Sequence, residues 1–192
     1  MKISKIQDSI SILITLQSAI DECQKIILGE NHNKNSVVHA LASGQLLIYT
    51  NSFLDEWKNL GTQCKVDNQV IKVRKLASPF INRINNWDLH DVRNIFLAHN
   101  FRDREKKNAL IKHYDNELNI PSSLGDYVLL SGCVFCIKQI LITEFSMEYN
   151  DLIVYLKTIK TPKIKEGINS DQLAMKELNQ LINQSDLLKQ ES

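Results

Sequence analysis

Only six glycines and three prolines punctuate this 192-residue chain, and the glycines are scattered. A loop that cradles phosphate needs glycines close together, so their dispersal argues against nucleotide hydrolysis. No G-x-S-x-G elbow and no constellation of paired carboxylates occurs, which removes the usual support for serine hydrolysis. Four cysteines, Cys23, Cys64, Cys133 and Cys136, are too few and too dispersed for a disulfide framework, and they read as reduced thiols. Cys133 and Cys136 form a C-x-x-C pair, half of a zinc site or a redox motif. No second C-x-x-C or H-x(3–5)-H completes four ligands, so the pair reads as buried thiols on a core helix and no metal is expected. The N-terminus alternates polar with apolar residues where a signal peptide would have an unbroken apolar core. No later run reaches membrane-spanning length without charges, so a cytoplasmic protein with no membrane partner is expected. With 23 basic and 22 acidic residues the formal net charge is +1. Any nucleic-acid contact must therefore come from a local cluster of cations. No internal repeat or low-complexity tract is evident, and β-type alternation is nearly absent.

Present instead is helical periodicity, in a chain whose hydrophobic content of 43% suffices for a sizeable core. Residues 3–28 place isoleucines and leucines at three- and four-residue steps and end near Gly29, predicting a first amphipathic helix. Ser36 can cap a second, through VVHALASGQLLIYTNSFLDEWKNLG, closed at Gly61, and these two should pack antiparallel. A third covers about Asn68 to Asn85, with Pro79 as a kink or break. A fourth starts near Asp88, which can cap LHDVRNIFLAH, and after a long polar connection a fifth runs from about Tyr127 to Phe145. Trp57 should anchor packing between helices, with Glu56 on the surface. His32 and His39 show no acidic pairing and read as structural or exposed. The fold class is all-α: an up-and-down bundle of four to five helices over residues 1–147, followed by a helical appendage over 148–192. The appendage has a short apolar run, DLIVYLKTI, a break at Thr161-Pro162, and a stripe of Leu173, Leu178, Leu181, Ile182 and Leu188. That stripe needs a partner surface: the bundle, a second subunit or another protein.

The segment richest in chemistry is Arg93-Asn94-Ile95-Phe96-Leu97-Ala98-His99-Asn100, on the fourth helix. Arginine offers a flat fork of donors suited to phosphate, and histidine titrates near neutrality. Together they suggest phosphodiester chemistry. At 100° per residue the two project about 120° apart, so they do not share one face, although a long arginine can span the gap. A competing reading makes His99 a core or interface histidine bonded to a backbone carbonyl, and Arg93 a surface cation paired with an acid such as Asp91. Just beyond lie Asn100, Arg102, Arg104, Lys106 and Lys107, a short basic run interrupted by Asp103 and Glu105. It can hold an RNA backbone or be a solvated loop. His113 and Tyr114, in the same connection, can stack on bases or stand idle.

An arginine and a histidine separated by five residues, with a polar residue directly after the arginine and a helical setting, resemble the R-x(4–6)-H motif of the HEPN superfamily. The layout is most similar to its stand-alone abortive-infection and toxin-like branches. The resemblance implies a metal-independent endoribonuclease that needs no cofactor and works as a homodimer with a composite site. Arg93, Asn94 and His99 stand at the matching positions. It also implies a toxin or phage-defence effector restrained by a cognate inhibitor protein. Two other classes stay open: a noncatalytic helical module that binds RNA or protein, and a purely structural dimerisation domain.

Overall fold

The computed structural model describes residues 3–29, 37–90 and 119–158, together with Gln172, Met175, Lys176, Asn179 and Gln180. Five helices and no strand occur among the described residues: α1 (Lys5–Leu28), α2 (Val37–Gln63), α3 (Asn68–Asn85), α4 (Leu124–Glu144) and α5 (Ser146–Thr158). The all-α bundle expected from the periodicity is the fold observed. The chain divides into two compact units, Met1–Lys157 and Thr158–Ser192. In the second, the six described residues, Thr158 among them, have helical backbone. The expected Ser36 cap, His32, the Thr161-Pro162 break and the leucine stripe of the tail lie outside the described residues.

Helix ends follow local chemistry. Ser4 caps α1 through a reciprocal box in which its hydroxyl accepts from Gln7 N and the Gln7 side chain accepts from Ser4 N. Asp67 caps α3 by accepting from the Gln69 and Val70 amides. The spacing prediction for α3 matches the observed span, and Pro79 does not break it. A proline has no N–H to give the carbonyl four residues back, here that of Lys75, and the Ser78 hydroxyl donates to that carbonyl at 2.8 Å. Gly61 does not close α2, which continues to Gln63 with Cys64 N donating to Leu60 O. Glycine serves another purpose there: a Cβ would lie 1.5 Å from Arg74 Nη1. The missing side chain leaves room for the Arg74 guanidinium, which donates to the Trp57 carbonyl and ties α3 to α2. α4 begins three residues before the expected Tyr127, because Ser123 and Asp126 form a second capping box. The apolar run after residue 148 belongs to α5, which starts directly after the buried Phe145.

Side-chain pairs fix the topology. Ser9, early in α1, donates to Glu56, late in α2, at 2.5 Å, as expected for an antiparallel pair, so Glu56 is a cross-helix acceptor and not simply a surface acid. Gln7 reaches the Glu148 carbonyl just past α4, and Lys138 Nζ reaches Gln17 Oε1 at 2.7 Å, so α1 and α4 also run antiparallel. Gln69 and Lys72 at the start of α3 both engage Glu144 at the end of α4, the latter as an ion pair of 2.6 Å. The four long helices thus alternate up and down around one core. Leu13, Ile20, Leu46, Phe53, Ile84, Leu130 and Ile137 are its fully buried centre, and Trp57 packs among them as expected. Each such side chain contributes about 1.5–3 kcal/mol relative to exposure. α4 is the one helix among the described residues long and apolar enough to cross a membrane, although Asp126, Lys138 and Glu144 interrupt it. Its buried face, including Leu130, Val134, Ile137 and Leu141, fills the core of the bundle.

Candidate functional site

Arg93 and His99 follow α3 in sequence, so the end of that helix is where their segment begins. α3 stops at Asn85, Trp87 N donates back to Ile84 O at 3.0 Å, and the Trp87 ring is buried. The Arg83 guanidinium stacks 3.9 Å above that ring, a cation–π contact set by the four-residue spacing on a helix. Helical backbone resumes at Leu89 and His90, in keeping with a helix that starts near Asp88. Leu89 is buried, and its carbonyl accepts from the Asn51 side chain, itself buried in α2. Leu89, the last buried residue described before the motif, is therefore anchored in the core.

The same point receives the returning chain. Asp88 N donates to Asn119 O at 2.9 Å, while Asn119 N donates to Asp88 Oδ2 at 2.8 Å. The Asn119 side-chain amide adds a bond of 2.6 Å to the Asn86 carbonyl. Among the described residues, the donor to the Asp88 carboxylate is thus a backbone N–H from the far end of the excursion. Three hydrogen bonds thus bring Asn119 against Asp88 and Asn86. Beyond it Pro121 is buried and the α4 capping box follows. The Asp126 carboxylate accepts from Ser123 N, Ser123 Oγ and Ser122 N, which hold its pKa below the usual carboxylate value; the nearby Arg83 charge adds to the same effect.

Arg93, Asn94 and His99 lie outside the described residues, as do Asn100, Arg102, Arg104, Lys106 and Lys107. Asp91, His113 and Tyr114 fall in the same stretch. What the structure supplies is the platform from which they depart. Arg83, Asn51 and Asn119 were not singled out by sequence reasoning. The Arg83–Trp87 pair was legible as an i, i+4 cation and aromatic on a helix. Asn51 and Asn119 carried no such signal, because an isolated asparagine looks the same in a loop and in a clamp.

The remaining candidates resolve into structural roles. Cys133 is buried and Cys136 half-buried, both as free thiols. Burial, with a smaller contribution from Cys136, pushes the Cys133 thiol above its ordinary pKa against the opposing charge of Arg83, the reverse of a reactive thiolate. Among the described residues, no group of three or more His, Cys, Asp or Glu side chains could hold a metal ion. His39 is half-buried, edge-on to Tyr127 with ring centres 6.4 Å apart and 3.5 Å from the Ser43 hydroxyl, a packing role. An open groove of about 350 Å³ between α1 and α4 is lined by Asp21 and Lys25 on one side and Val128, Gly132 and Phe135 on the other. Comparison of the chain with protein-family models, curated proteins and solved structures gives no match.

Proposed function

We propose that this chain is a metal-independent endoribonuclease of the HEPN type, cleaving RNA by attack of its own 2′-hydroxyl on the adjacent phosphate. The observation that carries the reading is the Arg93-Asn94-x(4)-His99 pattern in an all-α bundle. The bonds of Asn119 with Asp88 and Asn86 support it: they hold together the two ends of the stretch that carries the motif, and a functional segment needs fixed ends if its side chains are to be held in register. RNA supplies the nucleophile, so the protein needs only to move protons and stabilise charge. His99 acts as general base on the 2′-hydroxyl or as general acid toward the 5′-oxygen, a contribution of roughly 10²–10⁴-fold. Arg93 binds the phosphate and stabilises charge building on its nonbridging oxygens. Asn94 orients either group by hydrogen bonding. Asn100, Arg102, Arg104, Lys106 and Lys107 hold the backbone on either side. The products are a 2′,3′-cyclic phosphate and a 5′-hydroxyl. A homodimer that joins two copies of the motif relaxes the demand that Arg93 and His99 share one helix face. A nuclease of this kind requires restraint, which makes a toxin or phage-defence effector with a cognate inhibitor the matching biological role.

A second reading, a noncatalytic helical module, draws on the angular separation of about 120° between Arg93 and His99 on one helix. Cleavage of end-labelled single-stranded and structured RNAs in EDTA by wild type, Arg93→Ala and His99→Ala separates the two. The nuclease reading expects cutting by wild type alone, with melting and dimerisation equal in all three. Intact RNA at high wild-type concentration, or equal cutting by the variants, refutes it.

A further inference from the structure

α3 carries four cations, Lys72, Arg74, Lys75 and Arg83, and no acidic residue. Two of them are committed to the fold: Lys72 pairs with Glu144 at 2.6 Å and Arg74 donates to the Trp57 carbonyl at 3.3 Å. Lys75 is exposed, and its ammonium makes no hydrogen bond or ion pair to another described residue. Arg83 is half-buried, stacked on Trp87. Its charge reaches Asp126, but that carboxylate is already engaged by the Ser122 and Ser123 donors, and Arg83 makes no ion pair among the described residues. Stacking restricts the guanidinium, so its N–H fork is held ready for a planar or tetrahedral oxyanion.

Helical geometry sets these two charges on one side. Eight residues at 1.5 Å rise and 100° place Lys75 and Arg83 about 12 Å apart along the axis and about 80° apart around it. Pro79 and Asn82 lie between them on the surface, and Asn86 follows; all three are exposed and none is anionic. The Asn82 and Asn86 amides can donate to phosphate or sugar oxygens without reading sequence. The line ends at Asn86, whose carbonyl belongs to the clamp that roots the segment bearing Arg93 and His99.

We infer that the outer face of α3, from Lys75 through Asn82 and Arg83 to Asn86, is a backbone-binding track for single-stranded RNA that feeds the root of the motif segment. The inference rests on the ribonuclease reading for its choice of polyanion. One exposed and one stacked cation at this separation reach two non-adjacent phosphates of one strand, while the net charge of the whole chain supplies no competing nonspecific attraction.

The test uses the full chain and a 2′-O-methyl RNA oligonucleotide, which cannot be cleaved, with the dissociation constant followed by fluorescence anisotropy across a salt series. Lys75→Glu and Arg83→Gln together should weaken binding about tenfold or more, and the slope of log affinity on log salt should become shallower by about 1.4. Lys75→Glu alone, at an exposed position, should show about half the change in slope without altering the melting temperature, so the test survives if Arg83→Gln perturbs the Trp87 stack. Equal affinity and slope in wild type and Lys75→Glu, or no RNA binding by wild type at all, overturns the track. Cleavage on natural RNA separates this inference from the one it rests on. A wild type that cuts, together with α3 variants that bind and cut like it, refutes the track and keeps the nuclease. A wild type that cuts nothing, yet binds RNA in an α3-dependent manner, keeps the track and refutes the nuclease.

Discussion

Gln17 is fully buried on α1, with its Nε2 donating to Asp21 and its Oε1 accepting from Lys138 Nζ at 2.7 Å. A glutamine in that position is stable only while both ends are satisfied. Lys138→Met removes the donor to Oε1 and leaves a buried acceptor without a partner, at a cost of about 2 kcal/mol. It also removes the ammonium that sits 5.7 Å from the Phe135 ring centre. Gln17→Leu behaves differently. Lys138 and Asp21 are half-buried, so each turns to water when its partner goes, and a leucine of similar volume costs less than about 1 kcal/mol. The double variant has no stranded polar atom and should resemble Gln17→Leu alone. The expected coupling is therefore about 1–2 kcal/mol in favour of the double variant over the sum of the singles. Equilibrium urea unfolding of the four proteins at constant m measures it, with a melting-temperature drop of about 4–8 °C for Lys138→Met. Single-variant costs that add to within about 0.5 kcal/mol would show that the Gln17–Lys138 bond does not exist in solution.

Two further outcomes follow from the root of the motif segment. Asp88→Ala and Asn119→Ala each remove an exposed hydrogen bond worth about 0.5–1.5 kcal/mol, and should speed amide exchange at Asp88 and Asn119 while shifting global melting little; unchanged exchange at both amides refutes the clamp. The Asp126 carboxylate titrates below its unfolded value, so it favours the folded state above the unfolded carboxylate pKa, and that contribution disappears as pH falls through the lower folded one. Asp126→Asn should accordingly flatten the acid limb of the stability profile, and an identical limb in both proteins would contradict this.

Much of the architecture was legible from one-dimensional periodicity, because a helix that buries one side records its core face every three or four residues. That pattern alone predicts the observed span of α3, and it places Trp57 among the packed helices where its ring is buried. Caps were harder. Ser123 and Asp126 have the spacing of a capping box, yet Gly125 between them reads as a breaker, so α4 was expected to begin late. Gly61 illustrates the opposite error: a glycine at the end of an apolar run looks like a stop, whereas here it clears space for a guanidinium from the next helix.

The sequence by itself determined the fold class, the helix periods and the six-residue spacing of Arg93 and His99, since all three depend on residue types at short separations. Tertiary structure alone decided which polar residues meet: Asp88 with Asn119, Gln17 with Lys138, Ser9 with Glu56, Asn51 with the Leu89 carbonyl. Each of those bonds joins positions far apart in the chain, and no local propensity encodes them. They form because packing the apolar faces of the helices brings the polar groups together, and a buried or half-buried donor is then more stable with a partner than without one.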